Sequence, residues 1–367
     1  MSDYKRLGDY IREVNLRNRE LRVTNLLGLS IEKKFIPSIA NTIGTDMSAY
    51  KIVQPSQFAY VPVTSRNGEK ITVALYDGEE SAIISQAYTI FEIVDQDVLL
   101  PEYLMMWFRR PEFDRYARFH SHGSAREVFD WDELCNMRLP IPTLARQREI
   151  VEEYETLSRR IRLNEQMISK LEETAQALYR KMFVDGIDKE NLPEGWRKAI
   201  VDDVFDFKYG KTLPSELIKE EGEVPVYGAN GIIGYYDEAN CFDYVGLVTS
   251  RGNGSGDVSR TYHKESFVTN NSFVVKAKEQ YNYCGFEYVY YLLKSLDFKS
   301  ICTGSAQPQL TNMSIHLMSF AFPDRKTIMD YCDKAGSLLK GIDVRMMANS
   351  ELIELQSLLL ARMGEIK

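Results

Sequence analysis

Two short segments carry the side chains best suited to reading a nucleic acid. Ser65-Arg66-Asn67-Gly68-Glu69-Lys70 and Ser250-Arg251-Gly252-Asn253-Gly254-Ser255 each follow a β-branched run, Val61 to Thr64 and Val245 to Thr249. A guanidinium presents a forked pair of donors that fits guanine, and a carboxamide pairs in the same bidentate way with adenine. Serine hydroxyls and loop N–H groups hold phosphates. An arginine in both segments favours contact with DNA through Ser65, Arg66, Asn67 and Lys70, and through Ser250, Arg251, Asn253 and Ser255. A plain hairpin turn accounts for the Gly and Asn equally well, so both readings stand at this level.

Further polar clusters extend the candidate set. Lys208, Tyr209 and Lys211 precede Tyr227-Gly228-Ala229-Asn230-Gly231. Gly304-Ser305-Ala306-Gln307-Pro308-Gln309-Leu310 has a stiffening proline between two carboxamides, and its counterpart Gly123-Ser124-Ala125-Arg126 carries a cation. Lys211, Tyr227, Asn230, Gln307, Gln309 and Arg126 therefore join the DNA-contact candidates, with ordinary surface loops as the alternative.

Catalytic patterns are missing. There is no Asp/Asn-Pro-Pro-aromatic motif, no Gly-x-Gly-x-x-Gly after a strand and no phosphate-binding loop ending in Gly-Lys-Ser/Thr. No Ser/His/Asp or Cys/His set occurs in both halves. His120 and His122 stand two apart without a third ligand nearby, so no metal is expected. The expectation is a binding protein without catalytic residues and without a cofactor of its own.

These loops need elements to hold them, and the chain supplies the elements twice. Gly-Ser-Ala occurs at 123–125 and at 304–306, an offset of 181. At that offset Leu157 meets Leu338, Ile161 meets Ile342, Leu171 meets Leu352 and Leu178 meets Leu359. Upstream the offset is 185, where Val63-Thr64-Ser65-Arg66 meets Val248-Thr249-Ser250-Arg251. An ordered series of matches with a small drift is the mark of two copies differing in loop length. Each copy runs from a glycine-rich, β-branched region to a short aromatic helix (Tyr103 to Arg110; Tyr288 to Lys294), the Gly-Ser-Ala loop, a short strand and a long helix.

The long helices share one spacing. In the first, Ile150, Tyr154, Leu157, Ile161, Asn164, Ile168, Leu171, Ala175, Leu178 and Met182 alternate by four and three. In the second, the series is Tyr331, Ala335, Leu338, Ile342, Arg345, Asn349, Leu352, Gln356, Leu359 and Met363. A sustained 3.5-residue repeat predicts a coiled-coil seam, with Asn164 as a polar exception that fixes register. Leu339, Met346, Ile353 and Leu360 widen the second stripe. The simplest arrangement packs the two helices on each other, and ordinary core helices of two domains are the alternative.

Composition sets the remaining bounds. The 367 residues are 44% hydrophobic and 27% charged. No run is apolar enough to suggest secretion or membrane insertion. Five scattered cysteines without a Cys-x-x-Cys pair suit free thiols in a reducing cytoplasm. The net charge is −8. Residues 4–143 hold 17 basic and 19 acidic side chains, and residues 196–324 hold 12 and 16. Neither half is basic, so DNA binding requires cations gathered on one face, or a partner that supplies phosphate contacts.

Taken together, Leu192-Pro193-Glu194-Gly195-Trp196, Tyr227 to Gly231, Thr249-Ser250-Arg251-Gly252, Gly304 to Leu310 and the closing helix resemble the specificity subunits of Type I restriction–modification systems. The motifs are specific in the second half and looser in the first, where Gly-Ser-Ala-Arg-Glu-Val-Phe (123–129) departs from Gly-Ser-Ala-Gln-Pro-Gln-Leu. The resemblance implies an α+β chain with two tandem target-recognition domains, each followed by a long helix. The two helices would pack as an antiparallel coiled-coil spacer. The implied division is 1–143 and 196–324 for the domains, 144–186 and 325–367 for the helices, and 187–195 for the linker. Leu157, Ile161, Ile168, Leu171, Leu178, Leu338, Ile342, Leu352 and Leu359 would carry the packing. The resemblance further implies a prokaryotic cytoplasmic protein that reads a bipartite, asymmetric double-stranded DNA target. Modification subunits holding S-adenosylmethionine and restriction subunits would dock on it. The rivals are a duplicated scaffold without a DNA role, an enzyme with an unrecognised site, and the specificity protein of a related defence system.

Overall fold

The computed structural model describes residues 4–38, 44–63, 70–123, 127–304, 308–316 and 318–365. The chain forms two compact units, residues 1–162 with 349–367, and residues 163–348.

The first unit is built on a four-stranded antiparallel sheet in the order Ile11–Val14, Thr89–Ile93, Phe58–Tyr60, Val73–Leu75. Its strands are short, so large inward residues make the core. Phe58 stacks on Phe91 with ring centroids 4.9 Å apart. The helix Pro101–Arg109 opens on a proline, whose missing N–H costs nothing in a first turn. It buries Tyr103, Leu104, Met105, Met106, Trp107 and Phe108, almost its whole circumference. Fully buried Gln147 roots the first long helix. Its carboxamide donates to the carbonyls of Val98 (2.8 Å) and Pro142 (2.9 Å) and accepts from the Leu100 N–H (2.9 Å).

The second unit repeats the plan. Its four-stranded sheet runs Phe205–Tyr209, Ser272–Ala277, Gly246–Thr249, Val258–Arg260, again antiparallel throughout. A second sheet places Val224–Gly228 between Gly231–Tyr236 and Phe267–Val268, the latter pair parallel. The helix Phe286–Ser295 follows Pro101–Arg109 at the same offset by which Val258–Arg260 follows Val73–Leu75. Tyr4–Arg6 pairs with Arg138–Pro140 in the first unit, as Arg197–Ile200 pairs with Ser319–Phe322 in the second. The repeat in the sequence is therefore a repeat of one fold.

The long helices are Leu144–Phe183 and Arg325–Arg362, 40 and 38 residues. At ~1.5 Å per residue each is about 60 Å long. Every expected seam position, Ile150 to Met182 and Tyr331 to Met363, is buried or half-buried. Within the first unit the Gln356 amide donates to Ser158 Oγ (2.8 Å), and Ile150 and Tyr154 share a core with Leu360 and Met363. Within the second, Tyr331 Oη donates to the Ala175 carbonyl (3.3 Å), and its ring packs edge-on against Tyr179 and Phe183. Leu171 lies beside Gly341, where a Cβ would stand 3.3 Å from its methyl. In both units the pairing runs antiparallel. Of the residues widening the second stripe, Leu339 and Leu360 enter these cores, Met346 is half-buried and Ile353 is exposed. The helices are thus a seam and part of each unit's core at once.

One ion pair fixes the second unit's sheet to its helix. Arg260, at the end of its strand, is 0% exposed and donates through Nη2 to Asp343 Oδ1 at 2.7 Å. Its Nε and Nη1 have no hydrogen-bond partner among the described residues. The guanidinium lies 4.5 Å from the centroid of the Tyr262 ring, 5.7 Å from that of Phe286 and 5.8 Å from that of Tyr290. Ring faces attract a cation at such distances. Burial alone would weaken the proton's hold. The bond to Asp343 outweighs it and keeps the group above its ordinary pKa.

Two outcomes follow for stability. Tyr331 is fully buried. Tyr331→Ala should cost about 3–5 kcal/mol in chemical denaturation, as buried aromatic deletions do; a loss under about 1 kcal/mol contradicts this packing. Asp343→Ala strands a buried charge and should cost about 3 kcal/mol, much of it recovered when Arg260→Met is added. A double variant no more stable than the single one contradicts the pairing.

Candidate nucleic-acid interface

At one end of the second unit's sheet, three strands stop together. Tyr209 closes the strand opposite Phe273, and Thr249 closes the strand opposite Ser272. The loops beyond these residues are held tightly. Ser250 is fully buried; its N–H (2.8 Å) and its Oγ (2.9 Å) both donate to the Asn271 carbonyl. Its own carbonyl accepts from the N–H of buried Leu310 (2.9 Å). Gly210 lets the next loop close: a Cβ there would lie 2.3 Å from the carbonyl oxygens of Val268 and Thr269. Lys211 then donates its N–H to the Val268 carbonyl (2.9 Å), and Asn270 donates to the Lys211 carbonyl (3.1 Å).

The arginine loop is a closed hairpin. Thr249 and Asp257 pair at its base (2.9 Å), Gly256 donates to the Thr249 carbonyl (2.8 Å), and Ser255 donates to the Gly252 carbonyl (2.9 Å). Gly252 has φ +87°, a conformation that L side chains resist. The Ser255 hydroxyl donates to the Pro308 carbonyl at 2.6 Å, and Gly252 donates to the same oxygen at 3.2 Å. Thr249 Oγ1 donates to the Ala229 carbonyl (2.8 Å), which brings the Ala229-Asn230 turn alongside. Five loops therefore meet at one end of the sheet, around Arg251.

The candidates separate into two groups. Lys211, Asn230, Arg251 and Asn253 are exposed, Gln309 is half-buried, and Lys211 and Arg251 have no carboxylate partner among the described residues. Lys208 and Lys276 nearby are paired with Asp206 and Asp243. Tyr227, Ser250 and Ser255 instead face inward and use their hydroxyls internally. Tyr227 Oη accepts from the Tyr262 N–H (2.8 Å) and lies 3.2 Å from His263 Nδ1. Burial disfavours its phenolate and pushes its pKa up to about 12. Gln307 lies outside the described residues.

In the first unit Ser65, Arg66, Asn67 and Arg126 also lie outside the described residues, and Lys70 is exposed. The feet of those loops match the second unit. His122 and Val128 exchange two backbone hydrogen bonds (3.0 and 2.9 Å), as their counterparts Thr303 and Gln309 do (2.9 and 2.8 Å). Val63 bridges Val128 where Arg251 bridges Gln309, so the strand registers set Val63, and not Arg66, opposite Arg251 and correct the 185-residue alignment at this loop. Glu133 holds His120 (3.0 Å) and His122 (3.6 Å). Among the described residues no group of three His, Cys, Asp or Glu is arranged to hold a metal.

Sequence reasoning passed over Thr269-Asn270-Asn271, which the structure seats at the centre of this edge. A usable signal was present: three polar residues stand between the apolar pair Phe267-Val268 and the strand Ser272–Ala277.

The family model described as the Type I restriction modification DNA specificity domain matches residues 193–337. The Type I restriction enzyme HindI specificity subunit of Haemophilus influenzae is 26% identical over 195 residues, which is 50% of this chain. That match covers 42% of the relative, so the chain spans under half of its length. The crystal structure of a Type I restriction–modification S subunit from M. genitalium superposes with a TM-score of 0.61 at 16% identity, over 98% of this chain and 95% of that one. The likeness to that family model is thus confined to residues 193–337, while over nearly its whole length the chain has the same fold as the M. genitalium structure.

Proposed function

We propose that this chain is the DNA-reading specificity subunit of a Type I restriction–modification complex, acting in a prokaryotic cytoplasm. Each unit reads one half of a split, asymmetric duplex target through the loops at the end of its sheet. The observation that carries this reading is the gathering of five loops around Arg251. There Lys211 and Arg251 stand without carboxylate partners among the described residues, beside exposed Asn230 and Asn253. A cation held on a rigid hairpin loses little freedom when it docks in a groove, and a forked donor discriminates guanine. Asn230 and Asn253 offer carboxamides for adenine, Gln309 lies beside them, and Lys211 is placed for a phosphate.

The net charge of −8 is consistent with division of labour. Few cations stand free at the edge, so the sequence-independent phosphate affinity comes from modification subunits that close around the duplex. Those subunits hold S-adenosylmethionine and methylate the target; restriction subunits join them. This chain contributes address and spacing and no catalytic group. The two long helices set the gap between half-sites, and modification subunits dock along them.

Arg251→Ala should relax the half-site read by the second unit by about tenfold or more at one base pair, while the other half-site and the gap stay unchanged. Sequencing of duplexes selected from a randomised library reads this directly. Loss of all binding together with loss of assembly contradicts direct readout. Inserting one heptad into each long helix should lengthen the tolerated gap by roughly 3 base pairs, from ~10 Å of added helix against ~3.4 Å per base pair. An unchanged gap contradicts the spacer role.

A further inference from the structure

We propose that Asn271 is a specificity-determining residue of the second unit, reading a base edge beside Arg251; this rests on the proposed DNA-reading function and deepens it. The backbone of Asn271 is locked to the arginine loop, because its carbonyl accepts from both the N–H and the Oγ of Ser250. The residue before Arg251 thus grips Asn271 directly. Its side chain is exposed, and its amide has no hydrogen-bond partner among the described residues. The adjacent Asn270 is different: its Nδ2 donates to Thr212 Oγ1 at 3.1 Å, so it serves the loop.

The ordinary reasons for asparagine in a turn do not apply here. Asparagine is favoured where φ is positive, or where its side chain caps a nearby backbone group. Asn271 is not among the positive-φ residues, which outside glycine are Leu21, Lys33 and Ser56 among the described residues. Its side chain caps nothing. The fold asks only for the Asn271 carbonyl, which any residue supplies. The carboxamide has one donor face and one acceptor face, on a segment whose backbone is hydrogen-bonded to Ser250 beside Arg251 and, through Asn270, to Lys211. That is the chemistry that pairs with N6 and N7 of adenine in the major groove.

The chemistry predicts what each replacement does. Asn271→Ala removes both halves of the pair. Asn271→Asp keeps the shape but leaves only acceptors, which suit the amino group of cytosine. The test uses the full chain assembled with its modification subunits, and duplexes selected from a randomised double-stranded library. Arg251→Ala is run in parallel, and thermal melting of each variant checks folding. Asn271→Ala should flatten the preference at one base pair of the second half-site by about tenfold or more. Asn271→Asp should move that preference from adenine towards cytosine, with melting unchanged. If Arg251→Ala relaxes that half-site while both Asn271 variants select the parental sequence, this inference is overturned and the proposed function stands. If the Asn271 variants weaken binding to all sequences alike, the residue positions backbone or phosphate, and the inference is again overturned. If Arg251→Ala also leaves selection unchanged in a folded complex, the proposed function falls and this inference with it.

Discussion

A single buried serine organises the candidate reading edge. Ser250 spends its N–H and hydroxyl on one carbonyl of the 269–271 loop and its own carbonyl on the 303–310 segment. Three stretches of chain, distant in sequence, are pinned at that point. A buried hydroxyl that is fully satisfied rigidifies its surroundings, whereas an unsatisfied one would cost stability. Ser250 is buried and its neighbour Arg251 is exposed, so the pinned serine fixes the point from which the cation leaves the sheet. The exposed cation therefore depends on the concealed serine.

The long helices impose the second constraint. Their 3.5-residue spacing aligns the seam, and the same residues complete the core of each unit. Ile150 and Tyr154 sit among the residues of the first core, and Ala175, Tyr179 and Phe183 among those of the second. In the second unit Arg260 ties the sheet to Asp343 on the helix, so the sheet and its support form one body. A helix that is both seam and core leaves little room for the sheet to shift on it, since packed interiors transmit strain.

Much of this was legible in the sequence, for reasons that differ by feature. The duplication and the seam are periodic signals, and periodicity survives without knowledge of tertiary contacts. The α+β plan was what the resemblance to the specificity subunits implied. The exposure of Arg251, Asn253, Asn230 and Lys211 fitted their place in glycine-rich loops. Residue type misled where direction mattered. Tyr227, Ser250 and Ser255 looked like contact residues because they are polar, yet their hydroxyls close internal bonds that only the folded chain defines. Asn271, opposite Gln86 at the 185-residue offset, stands outside the arginine and glycine-rich motifs that drew attention. The Arg260–Asp343 pair joins residues 83 apart, with no local signal at either end.

The proposed function is that of a duplicated reader that addresses two separate stretches of one duplex. Long-read mapping of methylated adenines in cells that carry this chain with its modification subunit tests it most directly. The expected result is one asymmetric motif made of two unlike half-sites separated by a gap of fixed length and free sequence. A single uninterrupted motif, or methylation without sequence dependence, would contradict it.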